Sequence, residues 1–240
     1  MKEPRKAAQD LARDLAGEFG DELRSVLLYG SITRDEYVDG VSNVNVLVLL
    51  NDISTRTFTR AGPLAHQWEK VGLMPMLLER EEWARASDVF AVEVLDMIGA
   101  HEVLHGDDPL DGLTVSKDAL RLQAERELRV KLIGLHGAML HASDSASTIG
   151  EILVAALPSF LTYARTALRL AGQDAPAASR DVIEGAAALI GFDPSGLAAA
   201  LDARRRNGKW KVSLADAVVD RYHSAAEQMA AYVDRFGGST

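Results

Sequence analysis

The chain has 240 residues, 48% hydrophobic and 25% charged, with a net charge of −9 and a pI near 5.2. Such a length accommodates one large globular domain or two modest ones, and the acidic balance argues against a general polyanion-binding surface. Cysteine is absent, which excludes disulfides, iron–sulfur clusters and thiolate zinc sites and fits a reducing cytoplasm.

Residues 1–20 are charged throughout, so neither a signal peptide nor a membrane span is expected there. Ala8, Leu11, Ala12, Leu15 and Phe19 recur at helical spacing, and Gly20 closes the run. Residues 25–29 read as a short apolar strand, and the polar stretch 33–40 as a turn or short helix. Residues 44–50 are almost continuously apolar and rich in β-branched side chains, the pattern of a strand buried on both faces. A helix is predicted over 57–70 and a third strand over 73–78, where Pro75 favours an edge position or a bulge. Residues 88–97 read as helical, and Val103-Leu104 as an extended piece ending at Gly106-Asp107-Asp108-Pro109.

Beyond about Ser116 the pattern is helical only. Leu120, Ala124, Leu128, Leu132, Leu135 and Met139 share one helix face. Residues 152–167 form a second helix with a kink expected at Pro158, and 182–190 a shorter, alanine-rich one. Val218, Tyr222, Ala225, Met229, Tyr232 and Phe236 repeat in steps of four and three, the seam of a bundle helix. Residues 172–178 and 204–211 read as loops. The predicted architecture is therefore an α/β (α+β) domain with a small mixed sheet over residues 1–115, followed by an all-α helical bundle over 116–240.

Leu28-Tyr29-Gly30-Ser31, followed by Ser42-Asn43-Val44-Asn45 and an apolar run, carries the chemistry. A glycine after a strand lets the backbone turn tightly and approach a phosphate, which a serine hydroxyl and amide can then bind. Residues i and i+2 of a strand project from one face, so Asn43 and Asn45 point the same way. This segment, with Arg34 and the later Val103-Leu104-His105-Gly106, resembles the polymerase-β-like nucleotidyltransferases, in particular small bacterial members with a C-terminal helical bundle. The resemblance covers about the first 110 residues. It implies a nucleotide at Gly30, Ser31, Arg34, Asn43 and Asn45. In that superfamily the two asparagine positions are acids that hold magnesium, and a third acid stands on the next core strand. Residues 73–78 contain no acid, and Glu79 comes only at their end.

The primary expectation is thus a catalytically degenerate homologue that binds a nucleotide or a partner in the inherited cleft, with no metal ligand and no catalytic residue assigned. One alternative is an active nucleotidyltransferase acting on a small-molecule or protein hydroxyl through displaced carboxylates, for which Asp35, Glu36 and Asp39 are nearest in sequence; magnesium then enters with the triphosphate. Another is a non-enzymatic module that dimerises through the bundle. Neither a membrane nor a nucleic acid is expected as partner.

Three further patterns compete. His101-Glu102-Val103-Leu104-His105 spells H-E-x-x-H, with Glu125 available as a third zinc ligand, but Gly99 before it and Gly106 to Pro109 after it argue against the helix that motif needs. Arg129 and His136, with six residues between them, echo the Arg/His pair of helical HEPN ribonucleases. Arg204-Arg205-Arg206 with Lys209, Trp210 and Lys211 forms the densest basic cluster, read first as cations at a helix end and second as a phosphate contact.

Overall fold

The computed structural model describes residues 4–236. The chain divides into two compact units, Met1–Val115 and Ser116–Thr240.

In the first unit, α1 (Pro4–Phe19) leads through a 3₁₀ turn into β1 (Leu23–Tyr29). A second 3₁₀ turn (Ser31–Arg34) precedes β2 (Val44–Leu50), α2 (Thr55–Glu69) and β3 (Leu73–Glu79). The short α3 (Arg80–Ala84), then α4 (Ala91–Gly99) and β4 (His101–Gly106), complete the unit. The four strands form one mixed sheet in the order β3-β2-β1-β4, with β2 and β3 parallel and the other pairings antiparallel. Pro75 lies on the edge strand, where its missing N–H costs the sheet nothing on the open side.

Period-two alternation sends β1 and β2 side chains to two separate cores. Val26, Leu28, Val44, Val46, Val48 and Leu50 pack with Leu11, Leu15 and Phe19 of α1 and Trp68 of α2. Leu27, Leu47 and Leu49 pack on the opposite face with Trp83 of α3 and with Val94 and Met97 of α4. Both faces of β2 are covered, as its unbroken apolar sequence predicts. Tyr29 joins the second core at its margin, and its cross-strand partner is Asn45, so the motif occupies the end of the sheet face that α4 covers.

The second unit consists of α5 (Lys117–His141), α6 (Ala146–Leu170), α7 (Ser179–Ile190), α8 (Ser195–Arg205) and α9 (Ala217–Arg235). Ser116 caps α5 by accepting the Ala119 amide at 3.1 Å, and Ser145 heads α6 in the same way. Helix α6 packs against each of the other four. By length and composition alone it could cross a membrane, and its apolar face is the one buried against the other helices of the bundle. It runs as one helix through Pro158. Tyr222 of α9 donates its hydroxyl to the Leu153 carbonyl at 3.1 Å and meets the Phe160 ring edge-on at 5.7 Å.

Helix α8 is absent from the sequence-based reading, and its glycine shows why. Gly196 weakens helical propensity, yet a Cβ there would stand 2.3 Å from the Tyr222 amide nitrogen. The glycine serves the close approach of α8 to α9 rather than a turn. Gly150 does the same for α6: a Cβ would meet the Trp210 carbonyl oxygen at 1.8 Å. The loop after Trp210 is held there by Val212, whose amide donates to the Ala146 carbonyl at 3.0 Å.

Candidate functional site

Gly30 adopts φ 90° and ψ −150°, a region essentially closed to residues with a Cβ. A Cβ there would lie 2.8 Å from Nδ2 of Asn45. The glycine therefore lets the Asn45 amide lie directly over the turn, and two of the sequence-named positions are in contact. The turn is pinned from below. Thr33 donates its amide and hydroxyl to the Gly30 carbonyl at 3.2 and 2.8 Å, and its hydroxyl is also 3.0 Å from the Ala100 carbonyl. Glu36 closes it by donating its amide to the Ser31 carbonyl at 2.9 Å. Ser31 and Asn45 are half-buried and Asn43 is exposed. Among the described residues no hydrogen bond engages the Ser31 hydroxyl or the two side-chain amides.

Arg34 turns inward. Its guanidinium, 4% exposed, donates to the Asp96 carboxylate at 3.0 Å, to the Asp96 carbonyl at 2.8 Å and to the Gly30 carbonyl at 3.3 Å. As placed, it ties the Gly-Ser turn to α4, which is a positioning role and not an open phosphate contact. Sequence reasoning misses the other half of this pair, because Asp96 lies 62 residues away on a helix that only the tertiary fold lays across the sheet.

Tyr29 reports the electrostatics of the same face. Its phenol is pushed up to about 12, first by burial and then by the carboxylates of Glu93 and Asp96. Two acids from α4 thus act on the position facing Asn45. The only signal for them in the sequence is their spacing of three on a predicted helix, which puts both on one side of it.

The acids nearest in sequence are engaged or peripheral. Asp35 has left-handed backbone (φ 54°), and its exposed carboxylate faces Arg5 at 3.4 Å. Asp39 is exposed, and its charge, after burial, raises the Tyr37 phenol. Glu36 is half-buried and closes the turn through its backbone. Glu79 accepts the Ile53 amide at 3.0 Å, an anchor for the loop after β2.

The H-E-x-x-H residues lie on β4, a strand. Four residues of strand separate the two histidines by about 13 Å, too far for one ion. His101 has Nδ1 at 3.0 Å from the Met97 carbonyl and Nε2 at 3.0 Å from Asp108, and Glu102 pairs with Arg5. The basic cluster also divides. Arg204 is the penultimate residue of α8 and is buried, Trp210 lies half-buried over Gly150, and Arg205, Arg206, Lys209 and Lys211 are exposed.

The expectation that the metal question turns on Asn43 and Asn45 requires correction. Among the described residues, the side chains grouped so that they could hold a metal ion are His136 of α5 with His223 and Glu227 of α9. Nitrogen and carboxylate donors from two bundle helices make this set, so the two asparagines do not decide whether the chain is an enzyme. His136 therefore faces a histidine of α9, while Arg129 reaches Asp234 at 2.7 Å and Glu125 at 3.9 Å. The two do not converge as the HEPN echo would require. Sequence reasoning could see the His-x-x-x-Glu spacing on α9, but not the histidine 87 residues away that completes the set.

Among solved structures the chain is similar to spectinomycin adenyltransferase AAD(9) from Enterococcus faecialis, determined with ATP and spectinomycin. The match has a TM-score of 0.63 at 10% sequence identity and covers 94% of this chain and 98% of the other. The likeness is one of fold, and it extends over nearly the whole of both chains. No family model matches the chain, and no curated protein does.

Proposed function

We propose that the chain binds a nucleoside triphosphate at the Gly30-Ser31 turn and transfers its nucleotidyl group to the hydroxyl of a small molecule. The observation that carries this reading is the convergence of Gly30, Asn45, Tyr29 and the α4 carboxylates at one end of one sheet face. The turn's half-buried serine suits a phosphate, and its glycine admits the close approach. Asn43 and Asn45 offer neutral amide oxygens, and Glu93 supplies negative charge that these lack, Asp96 being paired with Arg34. Magnesium arriving with the triphosphate would be held by those amide oxygens and would neutralise phosphate charge there.

Asp96, fixed by Arg34, is a positioning residue in this scheme. Glu93 is the group we assign to accept the acceptor's proton as its oxygen attacks the α-phosphorus and pyrophosphate leaves. The displaced carboxylates thus come from α4 rather than from Asp35, Glu36 or Asp39. ATP and spectinomycin are the first substrates to try, because the structural neighbour was determined with both.

The binding step is tested by thermal shift with each nucleoside triphosphate, with and without Mg²⁺. One triphosphate should raise the Tm of the wild type, and Ser31→Ala should reduce that rise. A wild type indifferent to every triphosphate would remove the proposal.

A second copy of the chain is a further proposed partner, since α5 leaves Leu122, Val130, Ile133 and Leu140 exposed along the bundle. Sedimentation equilibrium tests it, with a concentration-independent monomer mass as the adverse result.

A further inference from the structure

The structure assigns to the outer face of α5 and α9 a second site, independent of the nucleotide proposal: a zinc-class cation held by His136, His223 and Glu227. The two helices pack side by side, and their pairings fix an antiparallel register. Arg129 meets Asp234 at 2.7 Å. Seven residues further along α5 stands His136, and seven residues back along α9 stands Glu227. Seven residues are two helical turns, so the register alone brings these two to one level. His223, one turn from Glu227, then presents its Nε2 at 2.8 Å from Nε2 of His136.

The chemistry of this set is specific. Two imidazole nitrogens aimed at each other satisfy one another only if one is protonated and the other is not. A cation between them resolves the pairing for both rings at once. Ligand atoms on a tetrahedral zinc stand about 3.3 Å apart, given Zn–N bonds of about 2.0–2.1 Å, so the pair needs to open by only about half an ångström. Nδ1 of His223 lies 3.5 Å from the Glu227 carboxylate. All three residues offer a ligand atom within 4.8 Å of the others. Glu227 therefore either closes the ligand set or holds the His223 ring from behind, the arrangement that raises the basicity of a metal-bound histidine.

Imidazole and carboxylate donors select zinc, cobalt or nickel over magnesium and calcium. His136 and Glu227 are exposed, which leaves a coordination position for water or an anionic ligand. Bound there, the ion joins the first and last helices of the bundle.

Cobalt(II) titration of the full chain, followed by visible absorption, tests the assignment. One equivalent should bind and give the intense bands of tetrahedral coordination, be displaced by Zn²⁺ but not by Mg²⁺, and raise the Tm. His136→Ala, on an exposed side chain, should fold as the wild type does by circular dichroism and weaken Co²⁺ binding by at least about 100-fold; Glu227→Gln should weaken it by about 10- to 100-fold. Absence of the bands at stoichiometric Co²⁺ would overturn the site, as would equal affinity in His136→Ala and wild type. Nucleotide binding in the first unit should be the same in both proteins, so failure here leaves the first site's test unaffected.

Discussion

The two candidate sites differ in how they are assembled. The Gly30 turn is local: a strand, a glycine, a 3₁₀ turn and the next strand, all within residues 23–50, place Gly30 against Asn45. The His136, His223 and Glu227 set is joined only by the packing of α5 on α9. A local site leaves a sequence signature because its spacing is its geometry. A packed site does not, because helix register and interhelical distance arise from side chains elsewhere along both helices. The Gly30 turn nevertheless carries one distant component, the Arg34–Asp96 pair, and that component is where the two kinds of site can be compared directly.

Breaking that pair should give the largest effect. The side chains of Arg34 and Asp96 are 4% and 14% exposed, and removing one partner of a buried pair strands the other's charge, at a cost of about 3–5 kcal/mol. Arg34→Ala should therefore lower the urea midpoint strongly, whereas Arg129→Ala, which leaves an exposed acid, should cost less than about 1 kcal/mol. Equal effects would mean that the turn is not anchored to α4.

Backbone closeness comes next. Gly30→Ala introduces a Cβ in a glycine-only region at 2.8 Å from Asn45 and should cost about 1–3 kcal/mol while abolishing any triphosphate-induced rise in Tm. Gly17→Ala, where a Cβ meets nothing within 4 Å, should be neutral or slightly stabilising. A Gly30→Ala protein of wild-type stability would show that the turn is looser than its geometry.

Alkaline titration acts only above pH 10, and its sign is fixed by linkage. The Tyr29 phenol stands at about 12 in the folded protein against about 10 when unfolded. Below pH 10 both states keep the proton and the contribution is intact. Between pH 10 and 12 only the unfolded chain releases it, so stability falls by about 2–3 kcal/mol across that window. Tyr29→Phe should flatten this part of the decline in a plot of Tm against pH. An unchanged slope would mean that neither burial nor the field of Glu93 and Asp96 holds the phenol's proton.

Legibility followed the same division. The strands and the seam of α5 follow from apolar periodicity, because burial in each is set by the element's own repeat, and the edge placement of Pro75 follows from its missing N–H. On α9 the expected Tyr222, Ala225 and Met229 are buried, but Val219 and Val233 are buried in place of Val218 and Tyr232, and Phe236 is exposed. Helix α8 escaped because Gly196 is there for the sake of Tyr222, a contact between elements. Arg34 showed in the sequence as a cation near a phosphate turn, and only the fold reveals that its charge is spent on Asp96. Asn43 and Asn45 read as the loss of a metal site, because nothing in the local pattern announces that α4 brings two acids to the same face.

The central claim is that α4 supplies the chemistry the strand lacks. Pyrophosphate release from ATP and Mg²⁺ in the presence of spectinomycin and of other small hydroxyl acceptors, with mass detection of the modified acceptor, tests it in wild type and in Glu93→Gln. The account predicts transfer by the wild type and a loss of at least about 100-fold in Glu93→Gln, with the ATP-induced rise in Tm retained. Equal transfer by both proteins, or none by the wild type with any nucleoside triphosphate, would contradict it.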